Sequence, residues 1–181
     1  MLAVLLLQTA LGCPASSMDE GIVCGIDGVT YSSKIEAEAK EVEVMHCGPC
    51  GKCSNQQDIN IYNQTKDTLT ATTTKCAWLG FLGRSLTQYC MDNFVGFTEE
   101  CNSCWMDNIF CDMEKCKWTC LKYKLLGIGE FENGLDPCLN CDEQNCGPAF
   151  KQCAGANRRR CGIVTDIERD SLDFCNIAKV N

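Results

Sequence analysis

The stretch CNSCWMDNIFCDMEKCKWTC, Cys101 to Cys120, decides how this chain folds. It sets five cysteines among bulky apolar side chains, and the spacing predicts helix. At about 100° per residue, Cys101, Cys104, Trp105, Asn108 and Cys111 fall within about 120° of arc and share one face. Cys116 and Cys120, four residues apart, share a second face. Such faces are expected to be tied to other segments, with Trp105 and Trp118 in the core beside the cystines. Upstream, Thr98 supplies a capping hydroxyl and Glu99-Glu100 an acidic first turn. Asp112 is expected to break the pattern, Glu114 to Leu126 to resume it, and Gly127 and Gly129 to end it.

Cysteine supplies 18 of 181 residues, the level that marks a disulfide scaffold in an oxidising compartment. The candidates for pairing are Cys13, Cys24, Cys47, Cys50, Cys53, Cys76, Cys90, Cys101, Cys104, Cys111, Cys116, Cys120, Cys138, Cys141, Cys146, Cys153, Cys161 and Cys175, and connectivity is not deducible from spacing. The alternative is zinc. With His46 the single histidine, a site would need four thiolates, and the two CxxC pairs Cys101/Cys104 and Cys138/Cys141 are the candidates. The net charge of -8 argues against nucleic acid and against a basic membrane-surface role.

Residues 1–12, MLAVLLLQTALG, are too short an apolar run to span a bilayer and fit the core of a secretory signal, with Ala10 and Gly12 as small residues near a cleavage point. A first unit occupies residues 13–53. In it, CGIDGVTY (Cys24–Tyr31) carries a turn at Asp27-Gly28, and the run KIEAEAKEVEV follows with Ser33 as cap and Glu36 completing a capping box. The segment closes on His46-Cys47-Gly48-Pro49-Cys50.

The CGxDGxTY pattern, the short helix and the terminal Gly-Pro-Cys resemble the Kazal module of serine-protease inhibitors and follistatin-like proteins, over about a fifth of the chain. The resemblance implies a Cys24–Cys50 disulfide, and it places Cys13-Pro14 ahead of an inhibitory loop with Ala15 at the specificity position. Where the family has its fourth cysteine this chain has Ile35, and ten residues separate Cys13 from Cys24. A loop without its brace is not held in its bound shape, so the unit is expected to serve as a structural cap; inhibition through Pro14 and Ala15 is the alternative. Cys47 and Cys53 are extra to the pattern, one available to replace Cys13's lost partner and the other to staple this unit to the next. CGPC at 47–50 also matches the thioredoxin redox tetrapeptide, but it follows a helix-like run, and no helix follows it to lower a thiol pKa.

Residues 54–181 are expected to form a cysteine-rich helical domain. A threonine-rich helix is read across Asp58–Leu79, and a short one capped by Ser85 runs through Asn93 with Tyr89 and Cys90 inward. Asn63-Gln64-Thr65 is a glycosylation sequon. GIGEFENGLDP is a loop. Asp142 to Ala154 reads as helix, interrupted or begun at Gly147-Pro148. Arg158-Arg159-Arg160 is expected to pair with carboxylates, and a terminal helix to bury Ile167, Leu172 and Phe174, pinned by Cys175.

The expected fold is therefore mainly α: small disulfide-linked helices with an N-terminal Kazal-like α+β cap. No metalloprotease, phosphate-loop or EF-hand motif is present, a Ser-His or Cys-His site would have to use His46, and the carboxylates read as solvated faces. The chain is expected to be a non-enzymatic scaffold or linker subunit without cofactor, secreted or in an oxidising lumen of the secretory pathway or thylakoid. Its partners would be other proteins of a larger or membrane-associated complex, with no transmembrane segment of its own. A Kazal-type protease inhibitor and a CxxC redox or zinc protein are the alternatives.

Overall fold

A computed structural model describes residues 21–132 and 135–163. The leader, Cys13, Pro14, Ala15, Cys175 and the expected terminal helix lie outside the described residues. The rest is mainly α, with a small antiparallel sheet at one end. The sheet comprises β1 (Val23–Gly25), β2 (Thr30–Tyr31) and β3 (Val44–Cys47) in the order β2-β1-β3, with Val23 opposite both Tyr31 and Cys47. The Asp27-Gly28 turn closes the first hairpin, and Tyr31 Oη donates to Asp27 Oδ2 at 2.7 Å. Helix α1 (Lys34–Ala39) starts at Ser33, whose hydroxyl accepts from Glu36 N at 3.1 Å. Glu36 returns the contact one residue early, accepting from Ser32 N at 2.9 Å, so the capping box is shifted by a residue. The Ser32 hydroxyl, donating to Glu36 Oε2 at 2.6 Å, then the Ser32 amide and Lys40 hold its carboxyl down to about 2.

The expected Asp58–Leu79 helix is two: α2 (Gln56–Gln64) and α3 (Leu69–Leu79). Thr65 caps the first, its backbone N–H and its hydroxyl both donating to Ile61 O, at 2.9 and 2.6 Å. Helix α4 (Arg84–Phe94) begins after Gly83 rather than at Ser85, and Tyr89 faces solvent because the buried face is set by Thr87, Cys90 and Met91.

Helix α5 (Glu99–Lys115) continues through Asp112 and breaks at Cys116, after which α6 runs Lys117–Leu126 and stops at left-handed Gly127. Thr98 caps α5, and both are anchored by fully buried Asp58, which accepts from Thr98 N (2.8 Å) and Thr98 Oγ1 (2.6 Å). Helix α7 (Pro137–Asn145) begins five residues before the expected Asp142, capped by Asp136, and α8 (Gly147–Ala154) follows after a break at Cys146.

Four disulfides join these halves as an antiparallel ladder: Cys104–Cys153, Cys111–Cys146, Cys116–Cys141 and Cys120–Cys138. Each step along α5–α6 is matched by a near-equal step back along α7–α8. Cys76–Cys90 joins α3 to α4, Cys53–Cys101 fastens the N-terminal unit to α5, and Cys24–Cys50 closes the sheet. Cys47 is disulfide-bonded as well. Trp105 sits in the core, stacked on Phe97 at 5.7 Å and edge-on to Phe150 at 4.7 Å, with its Nε1 donating to buried Tyr62 Oη at 3.1 Å. Trp118 is exposed, because the inner side of α6 is taken by Cys116 and Cys120.

Between sheet and helices the backbones meet directly. A Cβ on Gly51 would lie 2.5 Å from Gly155 N, and Gly155 sits at φ +66°, so only glycine fits this crossing. His46, fully buried, bridges the same junction. Its Nδ1 is 2.7 Å from the Cys47 carbonyl and must donate; its Nε2 therefore accepts from Ser54 Oγ at 2.7 Å, and that hydroxyl accepts from Gly51 N at 2.8 Å. Burial, with Arg160 nearby, depresses the imidazole to about 4.

Candidate binding cleft

The residues proposed for chemistry do not converge. Cys101 and Cys104 stand on one helix but are bonded to Cys53 and Cys153, while Cys138 and Cys141 are bonded to Cys120 and Cys116. The four-thiolate zinc site is thus corrected: residues three apart on a helix reach different neighbours, and a disulfide sulfur offers no thiolate. Asp112, Cys116 and Cys146 do cluster, but both sulfurs are again in disulfides. In the CGPC tetrapeptide Cys50 is bonded to Cys24, not Cys47. Asn63 is exposed on α2. Of the arginines, Arg159 pairs with Glu143 at 2.6 Å, Arg158 donates to Lys66 O and Thr70 Oγ1, and Arg160 donates to the carbonyls of Lys151 and Gly155.

What the helices do build is a cleft of about 250 Å³. Helix α3 contributes Trp78 and the turn after it Phe81, α6 and α7 contribute Leu121 and Leu139, and α5, which packs against both sides, runs beneath with Ile109 and Met113. The disulfide ladder fixes three of these four elements to one another. Charged pairs such as Lys124 with Asp136 and Arg159 with Glu143 also line it, and α5 and α7 set a carboxylate cluster against each other there. Asn108 Nδ2 donates to Asp142 Oδ1 at 3.0 Å, and Asp112 is hydrogen-bonded to Asp142. Burial first, then the charge of Asp142, that hydrogen bond and the charge of Glu143, push the Asp112 carboxyl up to about 8. At neutral pH a proton therefore bridges the two aspartates. Asp112 Oδ1 and Asn108 Oδ1 are buried without a hydrogen-bond partner.

The sequence reading of these two carboxylates as solvated faces is corrected. Asp112 stands four residues after Asn108 beside the bonded Cys111, and Asp142 follows Cys141, so the cross-links bring both, half-buried, against each other. Only the pairing of the cysteines could have signalled this.

Fold and cleft together define a disulfide-stapled, mainly α protein with one apolar cleft described between its helices. Residues 84–177 match a family of unknown function (DUF8771), and the chain belongs to it. The matched span begins at α4 and takes in the whole ladder, leaving the sheet and α1 to α3 outside it. No curated protein matches the chain. No solved structure matches it either. Among the described residues no helix is long and apolar enough to cross a membrane.

Proposed function

We propose that this is a non-enzymatic binding protein of an oxidising, extracytoplasmic compartment, either extracellular or lumenal, which docks onto other proteins of a larger assembly. The cleft carries this reading. Its aromatic mouth at Trp78 and Phe81 is partly exposed, its floor holds carbonyl and carboxyl oxygens without partners, and cross-links fix three of its four elements to one another. An apolar pocket with a few convergent polar groups is the usual form of a binding site. Seven disulfides among the described residues suit an oxidising location. Against catalysis stand the full burial of His46 and the engagement of both its nitrogens. The test is affinity purification from native extract under oxidising conditions, with wild type and the W78D/F81D variant. A stoichiometric partner retained by the first and lost by the second is expected; the same proteins on both, or none on either, would overturn the reading.

The N-terminal unit, on this reading, is a Kazal-like module used as a cap. The Cys24–Cys50 bond and the order hairpin, helix, third strand favour the resemblance, and the Cys53–Cys101 staple favours the structural role. Titration of trypsin-, chymotrypsin- and elastase-like proteases decides it, since nanomolar inhibition of any one would restore the inhibitor reading.

A further inference from the structure

We propose that the outer face of α6 is an interfacial membrane contact that lays Trp118, Leu125 and Leu126 into the headgroup boundary of an anionic bilayer. Trp118, Lys122 and Leu125 are spaced i, i+4, i+7 and so fall on one face. That face points away from the protein, because Cys116 and Cys120 on the opposite side are bonded into α7. Trp118 is 68% exposed, Leu125 71% and Leu126 67%, and α6 buries no residue. Ile128 and Phe131 continue the exposed surface into the loop.

The composition of the face selects its occupant. Lysine is depleted from the cores of protein–protein interfaces, whereas at a bilayer interface its stem lies along the acyl boundary and its ammonium reaches the phosphates. Here Lys122 stands between Trp118 and Leu125, the combination of tryptophan, leucine and lysine found on helices that lie in the headgroup plane. Residues 115–126 carry four lysines and no carboxylate, within a chain of net charge -8. Of the nearby acids, Asp136 caps α7 and pairs with Lys124 at 3.6 Å, while Glu130 and Glu132 in the following loop are exposed, which confines the contact to α6 itself. The acidic balance of the whole chain thus conceals a cationic, apolar face on one helix. This contact lies apart from the polar floor of the cleft and does not depend on cleft binding.

The experiment is co-sedimentation of the full-length oxidised protein with vesicles of phosphatidylcholine alone and of phosphatidylcholine with about a third phosphatidylglycerol. Binding to the anionic vesicles is expected, weakening with salt and accompanied by a blue shift of tryptophan emission that the W118F variant lacks. L125S/L126S should lower the partition constant roughly tenfold per leucine, and K122E roughly tenfold. Non-reducing peptide mapping of each variant must return the wild-type disulfides, which separates lost contact from lost fold. The proposal is overturned if neither vesicle sediments the protein, if neutral vesicles bind it equally well, or if the folded variants bind like wild type. It is overturned equally if these variants leave vesicle binding nil but abolish a complex with another protein, which would make the face a protein interface.

Discussion

At Gly155 a single hydrogen separates fold from clash. An added Cβ would strike the Gly51 backbone nitrogen and the Ser54 hydroxyl and lie 2.8 Å from the Cys50 carbonyl carbon, at a φ that L side chains avoid. Gly155→Ala is expected to cost about 2–4 kcal/mol in denaturant unfolding, more than Gly28→Ala, which strains the backbone at φ +77° but whose added Cβ meets nothing. Asp112 makes a pH prediction. Its folded pKa lies above its unfolded value, so the stability it contributes is complete below about pH 4 and is lost as pH rises through about 8. His46 runs oppositely: its folded pKa is depressed, so its contribution is present above about 6.5 and lost as pH falls through about 4. The two slopes oppose each other in mild acid, and only that of Asp112 remains between pH 6.5 and 8. Thermal melts should show Tm falling over that interval in wild type and a flatter profile in Asp112→Asn; an unchanged slope in the variant would remove Asp112 as its source. Glycine spacing and the lone histidine were visible in the sequence, but neither the backbone crossing nor the shared proton was, because both depend on groups far apart in the chain.

At the scale of elements, the ladder between α5–α6 and α7–α8 does the work that packing does elsewhere. Helix α7 has no buried residue, and neither has α6. Removing Cys116–Cys141 with the double variant C116S/C141S should cost about 3 kcal/mol, because a bond spanning 25 residues restricts the unfolded chain. Urea unfolding measures it, and hydrogen exchange should place the lost protection in α6 and α7 while α3 and α4, joined by Cys76–Cys90, keep theirs. Helix starts at Thr98, Ser33 and Pro137 follow local chemistry that sequence carries openly. The breaks at Thr65 and Cys116 do not, since each helix could have continued on propensity; the first stops where Thr65 binds back to Ile61 O through both its N–H and its hydroxyl, and the second at the turn between two cross-linked pairs.

Across the whole molecule, two cores are joined by cross-links. A larger one gathers Tyr62, Leu69, Met91, Phe97 and Ile109 among cystines, and a small one beneath the sheet holds Val23, Tyr31 and Ala37. Cys53–Cys101 and the Gly51–Gly155 crossing bind them into one body. Non-reducing proteolytic mapping should therefore recover Cys53–Cys101 and Cys104–Cys153, each linking distant parts of the chain. Full reduction should collapse near-UV circular dichroism and expose the indole of Trp105 to quencher; a native signal surviving reduction would show that apolar packing suffices alone.

Local composition carried the cysteine density, the helical faces of Cys101 to Cys111 and of Cys116 and Cys120, the caps, and the turn-and-helix grammar of the first unit, because each arises from residues within a few positions of one another. Which sulfur met which, the burial of Asp58, the pairing of half-buried Asp112 with Asp142, the outward turn of Trp118 and the cleft itself came from tertiary structure. Spacing shows that a helix presents a cysteine. The partner is selected by the antiparallel meeting of two bent helices, a relation between segments tens of residues apart that no local pattern encodes.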